Sequence, residues 1–200
     1  MPEEVGVLFD PEEDGKPKPI LTGTFPAHIT GYKEGNAVNG SIPYNVEFKI
    51  AKVVGEKDSE FKGVNWQAVS QDNPSGEEVD ASYMAGRTVR SIGIWFNPDP
   101  KPEERWKNRD YVNFLESIGI ELPETEQGGK KYKTLVTLEE SEAIGRPCIV
   151  TIRLESDKRA GKSDNKYPKV FSVQTWEDGK RIDVTEGEED VFSTPELETE

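Results

Sequence analysis

Along most of the chain the apolar residues come in short runs of period two, the spacing that puts alternate side chains on one face of a β-strand. Gly23 to Tyr32 (GTFPAHITGY) leads through a polar, Gly- and Asn-rich stretch, Lys33 to Ser41, into PYNVEFKIAKVV. There Tyr44, Val46, Phe48 and Ile50 alternate with Asn45, Glu47 and Lys49, so the pair predicts strand, loop, strand. Val64 to Ser70 (VNWQAVS) reads as a further strand. After a loop holding Asn73, Pro74, Ser75 and Gly76, the β-branched and aromatic run Arg87 to Phe96 (RTVRSIGIWF) reads as another, bounded by Gly86 and Pro98.

The period then changes. In PEERWKNRDYVNFLESIG the residues Tyr111, Phe114, Leu115 and Ile118 fall at helical spacing. Pro102 suits the first turn, Glu103 and Glu104 face the positive end of the helix dipole, and Gly119 stops the helix. A loop with Gly128 and Gly129 follows, and Thr137 with Glu140 has the spacing of a capping box for one short turn ending near Gly145. Arg146 to Glu155 (RPCIVTIRLE) alternates Cys148, Val150, Ile152 and Leu154 against Ile149, Thr151 and Arg153. A long polar loop, Ser156 to Pro168, leads into KVFSVQTW and a turn at Glu177, Asp178 and Gly179, which predicts two paired strands.

The resulting order, three strands, a helix and two strands with long loops after the first and fourth strands, is the one expected for a mainly β, OB-fold-like five-stranded barrel. An ordinary β-sandwich with one helix leaves a similar trace, and the Val64 to Gly86 insertion departs from a minimal barrel. No internal repeat is visible.

Charge refines this outline. The 200 residues carry a net charge of -14, with a hydrophobic fraction of 33% and a mean hydropathy of -0.74, so part of the chain is expected to be solvated. Of the 39 acids, six lie between Met1 and Lys16 and eight between Asp183 and Glu200, which leaves 25 acids against 24 bases from Pro17 to Ile182. The expected organisation is therefore a flexible acidic arm (1–18), a nearly neutral folded body (19–182) and a disordered acidic tail (183–200). The lone Cys148 excludes an intramolecular disulfide, no basic-then-apolar leader opens the chain, and no apolar run approaches the roughly 20 residues that span a bilayer. A soluble, cytoplasmic protein is expected.

The stretches TGTFPAHITGYKEG, PYNVEFKI, EFKG, WKNRDYVNFLESIGIELP and IGRPCIVTIRLE, in this order and spacing, resemble bacteriophage OB-fold single-stranded DNA-binding proteins of the replication and recombination class. The likeness runs from about Thr22 to Trp176. It implies a chain that coats and protects single-stranded DNA in the host cytoplasm. The acidic end is similar to the tails with which such proteins recruit replication or recombination enzymes and compete with DNA. Those tails commonly end in an apolar tip, whereas this one ends Glu198, Thr199, Glu200, with Phe192 set back. A homodimer is a further expected association; no membrane partner and no cofactor are implied.

Sequence-independent binding of a single strand calls for cations along the phosphates and aromatic faces under the bases. Both residue types are present together. Arg87, Arg90 and Trp95 lie on one candidate strand, with Arg87 and Trp95 on one face by strict alternation and Arg90 on the other; Trp66 lies on another strand. Trp106, Lys107 and Arg109 cluster before the helix core. The loop SDKRAGKSDNKYPK offers Lys158, Arg159, Lys162, Lys166, Tyr167 and Lys169, and Arg153 to Arg181 holds eight bases against five acids. Each has a plainer reading, since strand aromatics usually pack inward and lysine-rich loops are often only solvated.

Catalysis finds little footing. His28, the only histidine, sits between Ala27 and Ile29 in a predicted strand, where packing is commoner than base chemistry. One His and one Cys cannot build the usual zinc ligand set, Glu103 with Glu104 and Glu139 with Glu140 read as helix-start charge, and no phosphate-cradling glycine motif is present. The contrasting expectation is a non-catalytic interaction module or virion accessory protein, which the overall acidity favours.

Overall fold

Thr22–Glu34 forms β1, a strand long enough to carry three neighbours. The computed structural model describes residues 18, 20–56, 62–64, 78–156 and 166–184. Most of the acidic arm (1–17), the tail from 185, Trp66, Lys158, Arg159 and Lys162 thus lie outside the described residues. Of the expected strand at Val64 to Ser70 only Val64 is described, as the last residue of β3 (Lys62–Val64).

On one edge β1 pairs with β2 (Ile42–Ile50); on the other it pairs with β9 (Pro147–Ser156), all antiparallel. Its first residues also meet β3, which pairs with β4 (Glu78–Asp80). Beyond β9 lies β10 (Lys166–Gln174), and the free edge of β2 takes two short strands end to end, β5 (Thr88–Arg90) and β6 (Ile94–Phe96). The protein is mainly β: a strongly curled, five-position antiparallel sheet, ordered β10, β9, β1, β2 and then β5 with β6. A parallel bridge joins its outer members, Ser91 to Val170, where the Ile92 N–H donates to the Val170 carbonyl at 3.3 Å.

Inward rows from four strands fill the curl. Phe25, Ala27 and Ile29 of β1 meet Val46, Phe48 and Ile50 of β2, Cys148, Val150 and Ile152 of β9, and Val170 of β10, all buried. The alternation expected for β2 and β9 is found as predicted. The helix is split. Pro102–Asn108 winds as a 3-10 segment and Arg109–Ser117 as α1, which ends at Gly119 with φ +76°. Its buried Tyr111, Phe114 and Leu115, with Ile118 just beyond, plug one end of the curl, each worth about 1.5–3 kcal/mol of burial. Tyr111 packs 4.5 Å from Phe96 and 5.6 Å from Tyr44 between ring centroids, and Ser117 Oγ donates to the Val173 carbonyl. Buried Asn108 locks the helix start to β6: the Asn97 N–H donates to its Oδ1 (2.7 Å) and its Nδ2 donates back to the Asn97 carbonyl (2.8 Å).

Three expectations are corrected. Arg87 to Phe96 is not one strand, because Ser91–Gly93 interrupts it, with Gly93 at φ +101°. The stretch with Gly128 and Gly129 is a hairpin, β7 (Glu124–Gln127) and β8 (Lys130–Lys133), turning through two glycines of positive φ. The short helix α2 (Glu140–Ala143) is capped by Glu139 and Glu142, two residues later than the Thr137 and Glu140 box expected. Among the described residues no helix is long and apolar enough to cross a membrane.

Replacing Asn108 by Ala leaves the Asn97 backbone groups without their partners, so urea unfolding should show a loss of about 1–3 kcal/mol. Burial pushes the Cys148 thiol up to about 12. Ellman's reagent at pH 8 should therefore label the native protein only as fast as it opens.

Candidate nucleic-acid interface

The outer faces of β9 and β10 set cations beside aromatic surface. Arg153 lies opposite Lys169 in the ladder, and Glu155 opposite Tyr167, which is 46% exposed. Between Val170 and Ser172 the ladder slips by one residue, so Phe171 is an extra position that faces solvent, 53% exposed. That slip lets both Val170 and Val173 face the core, which strict alternation forbids. The Arg153 guanidinium sits over the Phe171 ring, 4.5 Å from its centroid. Ile92, held by its bond to Val170, completes a shallow groove of about 110 Å³ with Leu154, Glu155, Lys169, Arg153 and Phe171.

Arg90 and Trp95 do not line this groove; they flank the Ser91–Gly93 crossover on the outer face of the neighbouring strands. Ser91 Oγ accepts the N–H groups of Val46 (3.2 Å) and Gly93 (3.3 Å), fixing the crossover from β5 to β6. Past it, Trp95 stands opposite Pro43 and is 44% exposed. Arg90 stands opposite Glu47 and pairs with it at 2.8 Å. Arg90 and Trp95 therefore share the outer face, contrary to strict alternation, because the Ser91–Gly93 break shifts the phase between them. Both ends of the Arg90–Glu47 pair are substantially exposed, so a phosphate can compete for that guanidinium at little cost.

Other expected residues lie elsewhere. Arg87 precedes β5; its Nη1 donates to the Lys18 carbonyl (2.7 Å) and its guanidinium lies 5.5 Å from the Tyr83 ring. Trp106, 69% exposed, Lys107 and Arg109 do not line the groove. Lys107 bonds Glu104 at 2.5 Å and thereby holds that carboxyl below its usual range, while Arg109 lies 3.8 Å from Asp110. Lys166 begins β10, next to Tyr167. His28 is half-buried 5.4 Å from Trp176, and its Nε2 is 3.0 Å from the Lys180 carbonyl, which makes that nitrogen the donor. Burial lowers its pKa. Among the described residues no group of three His, Cys, Asp or Glu is arranged to hold a metal.

Arg153, Phe171 and Ile92 were not among the site residues expected from the sequence. Arg153 was legible as an outward position in an alternating strand. Phe171 was not, since its exposure comes from the bulge. Set against known proteins, the chain matches no family model and no curated sequence.

Because Phe171 stands outside the ladder, Phe171→Ala should change unfolding stability by no more than about 0.5 kcal/mol in urea denaturation, the range of ordinary surface substitutions.

Proposed function

We propose that the protein binds single-stranded DNA along the outer face of its curled sheet, with an OB-fold as its scaffold. Supporting the fold reading, the neighbour order, the helix packed at one end and the parallel bridge from Ser91, just after β5, to Val170 of β10 are compatible with a five-stranded Greek-key barrel. In such barrels oligonucleotides lie across the second and third strands and the flanking loops. Here these are β2 with β5 and β6 and the loop at 35–41; Lys158, Arg159 and Lys162 lie outside the described residues.

One observation carries the functional reading: an exposed ring on a bulge, with a guanidinium over its face and Lys169 lining the same groove. Phe171, Trp95 and Tyr167 offer faces for bases, and Arg153, Lys169 and Arg90 offer charge for phosphates. None of these contacts reads a base edge, so the binding is of the sequence-tolerant kind that suits a coating protein in phage replication or recombination. The acidic tail supplies a competitor for the same cations at high effective concentration. On this reading the protein is not an enzyme.

Titration with oligo-dT at low salt should quench tryptophan fluorescence, and affinity should fall with salt at a log–log slope of about -0.7 for each phosphate neutralised. Phe171→Ala should weaken binding by about 1–3 kcal/mol, roughly 5- to 150-fold, as for one lost base stack. A chain ending at Val184 should bind more tightly. Absence of quenching from both the full chain and the truncated one overturns the proposal and favours a protein-interaction module.

A further inference from the structure

The groove is shared between the two outer sides of the curled sheet. Phe171 and Lys169 come from β10, and Arg153, Leu154 and Glu155 from β9, whereas Ile92 comes from the link between β5 and β6. The joint between those sides is slight. β9 and β10 are held by eight residue pairs and β1 and β2 by seven, but among the described residues the outer strands meet at one bridge, Ser91 with Val170. There the Ile92 N–H donates to the Val170 carbonyl at 3.3 Å, beyond the usual range of about 2.7–3.2 Å.

Ser91 is tied the other way. Its N–H donates to the Val46 carbonyl at 2.9 Å and its Oγ accepts the Val46 N–H at 3.2 Å, so the link is fastened to β2 independently of β10. Two successive amides thus belong to opposite sides of the seam: that of Ser91 is bonded to β2 and that of Ile92 to β10. On the inner side Val89 and Val170 are buried, and the cost of exposing them keeps an open form in the minority. We infer that this seam is a clasp: it parts locally in the free protein, carrying Ile92 away from Phe171 and Arg153, and a strand lying in the groove holds it shut by touching both sides. For the identity of that ligand the inference rests on the single-stranded DNA reading; for the opening it does not. A ligand that fits only the assembled groove binds the closed form alone and suppresses the opening by a factor of 1 + [L]/Kd.

Amide hydrogen exchange of the full chain, followed residue by residue by NMR with oligo-dT as the probe, tests both halves. In the free protein the Ile92 amide should be protected at least about tenfold less than the Ser91 amide, because parting the seam releases the first and leaves the second bonded to β2. Equal protection of the two means that the seam opens only together with the strands beside it, and overturns the inference. Oligo-dT at about 100 times its Kd should slow exchange at Ile92 by up to about 100-fold. Bound oligo-dT that leaves the Ile92 rate unchanged overturns the inference and spares the binding proposal. Absence of oligo-dT binding defeats that proposal and takes the clasp with it, and the contrast between Ile92 and Ser91 in the free chain then tells the two failures apart.

Discussion

The architecture rests on bending one antiparallel sheet until its outer strands touch while every apolar row stays inside. A period-two strand cannot do this alone, since curling shifts which residues face inward. The chain solves the problem three times by stepping out of phase. In β1 the ladder slips between Ile29 and Gly31, so Ile29 and Tyr32 are both buried. In β10 it slips at Phe171, and between β5 and β6 it breaks at Ser91–Gly93. The contact between Ser91 and Val170 lies beside two of these slips, which makes the link between the outer strands their joint product.

The same slips explain what was legible in the sequence. β2 and β9 alternate without interruption, so their buried residues could be read directly from Tyr44 to Ile50 and from Cys148 to Ile152. The helix core at Tyr111, Phe114, Leu115 and Ile118 was equally plain, since its period survives whether the preceding turns are α or 3-10. Where the backbone breaks period, sequence reading assigned the wrong face, as for Arg90 against Trp95. The hairpin of β7 and β8 was missed for another reason: all eight of its strand residues are exposed, so no apolar row marks them.

Electrostatic layout follows from this geometry. The excess acid is concentrated at the two ends of the sequence, while Arg153, Lys169 and Arg90 project from the outer sheet with Glu47 and Glu155 nearby. A further strap bears on the body near β1: the Ile182 N–H donates to the Gly145 carbonyl, and Arg181 donates to the Ser141 and Ile144 carbonyls at the end of α2. Gly145 is required there, because a Cβ would lie 2.0 Å from the Ile182 oxygen. The last described residues are thereby fixed to the folded body up to the point where the acidic sequence starts.

The bulge in β10 has an evolutionary consequence. A residue that belongs to no ladder pair and no inward row is released from the demands that bind its neighbours. Selection can exchange its side chain for another ring, a cation or a small group without asking the interior to repack. Surface character and foldability are thus written at separate positions of one strand, and the first can drift while the second is held.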